Sequence, residues 1–280
     1  MLLQSLISFE IPDIAPSVIL FWIISIVVAL VLIDTQKLKG RVSILIYLII
    51  VFYAGFLLGG IPNVSIPIER TLNTLSERGD FLDLLHAYAI FGIIIGSSVL
   101  FGRIFCGFAC PLGAMQELLS KINFKSDVKG QKSNKYHFEV SSRHSRRIRW
   151  TFVGLLFLIA TILGLSIFPL FNPFSGFSFF QKFEIIVFIP FLVLLLIGIL
   201  SIFIYRPWCR FLCPFGAGSD ILARRSAIKY MRTEECTDCG LCEKVCPTQE
   251  AAADSKKGEC YYCNRCIEIC PHNAIIFELS

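Results

Sequence analysis

Cys236-Thr237-Asp238-Cys239-Gly240-Leu241-Cys242-Glu243-Lys244-Val245-Cys246-Pro247 is followed, 24 residues on, by Cys260-Tyr261-Tyr262-Cys263-Asn264-Arg265-Cys266-Ile267-Glu268-Ile269-Cys270-Pro271. This is one pattern written twice, three cysteines at two-residue gaps and then Cys-Pro after three more. A cubane [4Fe–4S] cluster takes four thiolates, and in the bacterial ferredoxin run the fourth cysteine of each copy ligates the cluster of the other copy. The spacing therefore assigns Cys236, Cys239, Cys242 and Cys270 to a first cluster. It assigns Cys246, Cys260, Cys263 and Cys266 to a second. Pro247 and Pro271 fix φ and remove an N–H, closing each turn just after its last ligand. Zinc also accepts four cysteines with short gaps, but zinc patterns rarely repeat three ligands at this spacing before Cys-Pro. Structural disulfides fit the pattern less well still.

The rest of the chain is of another character. It has 280 residues with a formal charge of +5, and its mean hydropathy of +0.69 points to membrane spans. Eight of the 12 cysteines lie in the double run; the other four form two matched pairs. Cluster thiolates need a reducing compartment, the opposite of what disulfides need. A cytoplasmic C-terminal domain is expected.

Five apolar runs are expected to span the bilayer: Pro16 to Ile33, Val42 to Leu58, Leu84 to Gly102, Thr151 to Phe171 and Ile185 to Tyr205. Residues 1–15 carry no basic n-region, so a secretory signal is not expected there. The Lys- and Arg-rich segments 34–41, 103–149 and 206–232 all fall on one side if there are five spans. The positive-inside rule makes that side cytoplasmic and puts the N-terminus outside. Trp150, Tyr205 and Trp208 fall at span ends, where amphipathic rings favour the interface. The basic segment 121–149 fits attraction to anionic lipid better than nucleic-acid binding.

The fold class expected is an α-helical integral membrane protein of about five transmembrane helices, with two repeated hairpins and a small α+β domain holding two [4Fe–4S] clusters. The domains read as an extra helix and basic turn, 1–41; a first hairpin, 42–120; a basic loop, 121–149; a second hairpin, 150–225; and the ferredoxin domain, 226–280.

The hairpins end alike. Arg103-Ile104-Phe105-Cys106-Gly107-Phe108-Ala109-Cys110-Pro111-Leu112-Gly113-Ala114 matches Arg206-Pro207-Trp208-Cys209-Arg210-Phe211-Leu212-Cys213-Pro214-Phe215-Gly216-Ala217. An acidic residue and an aliphatic one follow in both, Glu117-Leu118 and Asp220-Ile221. Two copies in the same orientation suggest a pseudo-two-fold axis along the membrane normal. Such an axis would gather Cys106, Cys110, Cys209 and Cys213. These four could hold a further iron–sulfur centre or metal, or act as a redox dithiol. A blander alternative is four buried, inert thiols.

Membrane hairpins, two Cys-x-x-x-Cys-Pro motifs after spans, and then the double cysteine run resemble the NapH-type membrane ferredoxins, a polyferredoxin family related to the electron-transfer modules of NosR and CcoG. Phe171-Asn172-Pro173 before the last span is also similar to that family, and the resemblance covers about residues 42–280. The family has four spans with both ends cytoplasmic, so this chain adds one. Membership implies electron exchange between the quinone or quinol pool and a redox partner subunit, in a multi-pass protein of the cytoplasmic membrane. It also implies an electron-transfer component of a quinol dehydrogenase system rather than a stand-alone enzyme.

Other candidates are weaker. His86 is the single histidine inside a span, so a bis-histidine haem is not expected. His86 with Asp83 could meet a quinone head group, and Glu69 lies in the same outer region; water-satisfied interfacial side chains are the simpler reading. His137, His144 and His272 lie outside the spans. Two further functions fit the motifs: a CcoG-like factor that reduces or delivers a metal such as copper with the four hairpin cysteines, and an iron–sulfur redox sensor.

Overall fold

The computed structural model describes residues 16–38, 40–61, 63–68, 71, 85–122, 140–163, 167–181 and 185–279. The segment 1–15, Glu69, Asp83, His137 and most of the basic loop, 123–139, lie outside the described residues, as does the side chain of His86. The chain is mostly helical, with one small sheet at its C-terminal end.

Apolar sequence forms the long helices: α1 Pro16–Asp34, α2 Gly40–Ile50 continued by a π-helical stretch Val51–Leu57, α3 Leu85–Phe101, α6 Ser142–Leu163 and α9 Ile185–Phe203. Between them lie short elements. Helices α4 Ile104–Phe108 and α5 Pro111–Ser120 follow α3; α7 Phe168–Phe171 and α8 Pro173–Phe177 follow α6. A π turn Trp208–Leu212 and α10 Pro214–Ala223 follow α9. Among the described residues, one helical stretch, 40–57, is long and apolar enough to cross a bilayer by itself; 20–34, 91–101 and 187–203 are apolar over shorter lengths. Helix α6 departs from the expected span. It begins at Ser142, inside the basic segment, because Ser145 and Arg149 turn inward and are fully buried.

The two repeats fold alike at their ends. Cys110 and Cys213 are the N-caps of α5 and α10, both extended (φ −82° and −72°), each followed by proline at the first helical position. Proline suits that position because its missing N–H has no intrahelical partner there. Gly113 and Gly216 then let the new helix pass the carbonyl of the first cysteine of its own motif. A Cβ on Gly216 would stand 2.9 Å from Cys209 O, and one on Gly113 would overlap Cys106 O.

The C-terminal module is closed by its ends. Strand β1, Ile228–Arg232, pairs antiparallel with β2, Ile275–Leu279, in the register Ile228↔Leu279 to Arg232↔Ile275. Between them α11 Leu241–Val245 and α12 Arg265–Ile269 carry the cysteine runs. The core divides in two. One half surrounds the four hairpin cysteines and includes Tyr205, Trp208 and Tyr261. The other joins α1 and α2 to the C-terminal module through Tyr47, Phe108, Tyr230 and Tyr262.

Candidate metal centres

The eight C-terminal cysteines line two separate cavities. Cys246, Cys260, Cys263 and Cys266 share one. Cys236, Cys239, Cys242 and Cys270 share the other. The backbone builds both in the same way. Positive φ recurs at equivalent positions: Asp238 and Tyr262 (49° and 55°), Gly240 and Asn264 (70° and 63°), Gln249 and Asn273 (59° and 50°). The last cysteine of each run accepts a backbone N–H four residues on, Glu250 N to Cys246 Sγ at 3.2 Å and Ala274 N to Cys270 Sγ at 3.4 Å. All four donors in each set are thiols, and N–H···S bonds of this kind stabilise cluster-bound sulfur.

A third cavity, ≈ 320 Å³, is lined by Cys106, Cys110, Cys209 and Cys213 together with Arg103 and Trp208. Gln116, from the first repeat, donates from Nε2 to Cys209 Sγ of the second at 3.3 Å and accepts Trp208 N at 3.0 Å. The Trp208 indole N–H and Arg103 Nε, both buried, have no hydrogen-bond partner among the described residues. Burial pushes all four thiols up, Cys106 to about 11 against the opposing pull of Arg103, and Cys213 to about 12. Free thiols of this kind are protonated at neutral pH, unlike the low-pKa thiolates of exchange-active dithiols. Among the described residues no three His, Cys, Asp or Glu side chains converge closely enough to hold a single metal ion.

A buried charge network surrounds this cavity, and the sequence reading missed it. Arg103, Arg149, Arg206 and Arg210 are no more than 1% exposed, and Glu117, Asp220 and Glu259 are fully buried. The pairing crosses between repeats. Arg206 donates to Glu117 Oε2 at 3.1 Å and to Cys106 O at 2.8 Å. Arg103 donates to Gly216 O at 2.6 Å and faces Asp220 at 4.0 Å. Asp220 also receives Arg146 and Arg224, at 2.9 and 2.6 Å. Arg149 had been grouped with the lipid-facing basic loop; it lies 3.5 Å from Asp220 and 3.0 Å from Glu259. Burying a charge is costly unless it is paired and hydrogen-bonded; each of these has an opposite charge within 4.0 Å, while Arg149 Nη2, Arg206 Nη2 and Asp220 Oδ1 make no hydrogen bond among the described residues. Burial alone would raise the Glu117 carboxyl, but Arg265, Arg206, Lys121 and the Tyr205 hydroxyl overcome it and hold Glu117 at about 2.

The C-terminal module docks onto this network through one loop. Glu259 accepts Ser145 Oγ at 2.9 Å, Arg149 at 3.0 Å and Arg210 at 3.3 Å. Tyr261 accepts Arg103 Nη1 at 2.6 Å, and its ring lies 4.5 Å beneath the Arg206 guanidinium. Arg265 donates to Glu117 Oε1 and Ser120 Oγ, both at 2.9 Å. The signal for this in the sequence was slight: Arg at the head of each motif and an acid 14 residues later, in both copies.

Comparison with known proteins places these motifs. A family model described as a 4Fe–4S binding domain matches twice, over residues 84–129 and 186–231, and a second model of the same description matches residues 230–249. The two matches of the first model contain the two hairpin motifs. The chain is 29% identical over 173 residues to the putative electron transport protein YccM of Escherichia coli, covering 60% of this chain and 48% of that protein. It is 27% identical over 170 residues to the methylamine utilization ferredoxin-type protein MauN of Methylobacillus flagellatus (58% and 54%). It is 26% identical over 205 residues to the ferredoxin-type protein NapH of Haemophilus influenzae (70% and 64%). The chain thus spans about half to two thirds of the length of these curated relatives. No solved structure matches it. The doubled 4Fe–4S binding repeat, the cysteine run that follows it and these relatives agree in one respect: the chain is similar to the NapH-type ferredoxin-like proteins and carries 4Fe–4S binding repeats.

Proposed function

We propose that this protein is a membrane-bound iron–sulfur electron carrier that links the quinone or quinol pool to a redox partner protein. The observation that carries the reading is the grouping of all 12 cysteines around three cavities. Cys236, Cys239, Cys242 and Cys270 would hold one [4Fe–4S] cluster, and Cys246, Cys260, Cys263 and Cys266 a second. Cys106, Cys110, Cys209 and Cys213 would hold a third centre. Bound clusters supply reversible one-electron storage. The protein's part is to fix their places and set the surrounding charge. Trp208 and Arg103 bring buried N–H groups without acceptors to the third cavity, which suits sulfur-rich, anionic occupancy.

Membrane residence is supported by the outer faces of the long helices. Ile93 on α3, Ile162 on α6 and Ile185 on α9 are 74%, 70% and 89% exposed, and Leu45 on α2 is 59% exposed. Large apolar side chains left this exposed on every one of these helices suit contact with lipid or a partner. With five spans, the C-terminal module lies on the cytoplasmic side with the basic segments, and the N-terminus lies outside.

The test is iron and acid-labile sulfide per chain on anaerobically purified protein, with EPR after dithionite. A parallel sample carries Cys106→Ser, Cys110→Ser, Cys209→Ser and Cys213→Ser together. The reading expects more than about eight irons in the wild type, falling to about eight in the variant, and the appearance of cluster EPR signals when a quinol is the reductant. About eight irons in both removes the third centre. Copper bound by the four hairpin cysteines without quinol activity points to metal delivery instead. Zinc in place of iron sinks the carrier reading.

A further inference from the structure

The two ligand loops of the C-terminal module share a backbone and have turned opposite ways. In the run from Cys260 to Cys266 the spacer residues Tyr261, Tyr262, Asn264 and Arg265 are all buried, 1–3% exposed. Tyr261, Asn264 and Arg265 reach the helical part of the chain, while Tyr262 packs between it and strand β1, donating to Ile228 O at 3.2 Å. Tyr261 meets Arg103, Arg265 meets Glu117 and Ser120, and Asn264 donates from Nδ2 to Leu38 O at 2.9 Å. Tyr262 fills the space beside Gly102, where an added Cβ would stand 2.7 Å from its hydroxyl. In the equivalent run from Cys236 to Cys242, Thr237, Asp238 and Cys239 are exposed. The cavity of that second set has no lining residue from the helical repeats, whereas the first is lined by Tyr205 from the end of the second hairpin and by Tyr261.

We propose that the two ligand sets are ordered. Cys246, Cys260, Cys263 and Cys266 form the inner set, coupled to the hairpin cysteines through Tyr261 and Arg103. Cys236, Cys239, Cys242 and Cys270 form the outer set, which is open to solvent at Thr237 to Cys239. This ordering rests on the reading of both sets as cluster ligands. Tyr261 lines the inner cavity and accepts from Arg103, which lines the hairpin-cysteine cavity, so two side chains bridge the two sites. Arg265 is a positioning residue. It lines the inner cavity and not the outer one, whereas Arg232 lines both, so its buried guanidinium favours added negative charge more on the inner side.

The experiment uses the full chain in detergent, anaerobic and partly reduced, with EPR of the two ferredoxin-type signals. A soluble dysprosium chelate is added, and relaxation of each signal is measured. The expected result is a several-fold larger enhancement for one signal than for the other. The less affected signal is then the one whose reduction potential falls in Arg265→Gln and returns in Arg265→Lys. A purely structural role for Arg265 would lower iron content in both variants and shift no single potential. Equal enhancement of the two signals, or a shift confined to the more affected one, overturns the ordering while the iron content leaves the carrier reading intact. Zinc in place of iron overturns both.

Discussion

Arg206 donates from Nε to Glu117 Oε2 at 3.1 Å across the boundary between the two repeats, and neither side chain reaches solvent. Glu117 also receives Tyr205 at 2.6 Å and Arg265 at 2.9 Å, so one carboxylate joins the first repeat, the second repeat and the cysteine-run module. Glu117→Gln leaves two buried guanidiniums short of their countercharge. Removing one partner of a buried pair costs about 3–5 kcal/mol. Thermal unfolding in detergent should show a large drop in midpoint, well beyond that of a solvent-exposed control such as Glu235→Gln.

The same carboxylate sets an acid limit. Its folded value of about 2 lies below the ordinary glutamate value of about 4.3. A group depressed on folding stabilises above its unfolded value and loses that contribution as pH falls through its folded value. The contribution is on the order of 3 kcal/mol, present at neutral pH and lost between about pH 4.5 and pH 2. The unfolding midpoint of the wild type should fall steeply over that window, and the curve for Glu117→Gln should be flatter there.

Gly113→Ala and Gly216→Ala place a methyl group against the carbonyl of Cys106 or Cys209. Overpacking of this kind costs about 1–3 kcal/mol, and both variants should lose midpoint and any iron held at the hairpin cysteines. Gly113→Ala should be the worse, because the overlap there is deeper. Gly154→Ala, with nothing within 4 Å of the new Cβ and a helix interior around it, should be neutral or stabilising by up to about 1 kcal/mol.

Glu259→Gln tests the docking loop. Arg149 and Arg210 lose the carboxylate that they share, at 3.0 and 3.3 Å. Hydrogen exchange over residues 255–265 should accelerate by one to two orders of magnitude, as an opening cost of about 2 kcal/mol is removed. Exchange in α9 should be unchanged.

The grouping of the eight C-terminal cysteines was legible because ligand spacing is local, and the hairpin repeat was legible because its two copies differ little. Helix positions were legible to within a few residues where apolar runs end in polar ones, as at Asp34. The start of α6 was not, since Arg146 and Arg149 look like loop cations until Asp220 and Glu259 are placed beside them. Charge in a sequence states what must be neutralised, while the partner is set by tertiary packing. The inward turn of Tyr261 was hidden for the same reason: the two runs are alike at their cysteines and differ in spacers whose burial the spacing does not encode. The number of bilayer crossings rests on hydropathy and charge asymmetry, to which the fold adds one helical stretch, 40–57, of sufficient length and apolar character.

The crossed pairing of Arg103 with Asp220 and Arg206 with Glu117 means that neither repeat is self-sufficient. Each carries inside it an arginine whose paired carboxylate belongs to the other. Cut within the basic loop, the chain becomes two fragments with complementary defects, each stranded with an unmatched interior charge and half of a cysteine quartet. Co-expressed, they should reassemble as a heterodimer through that exchange of charges.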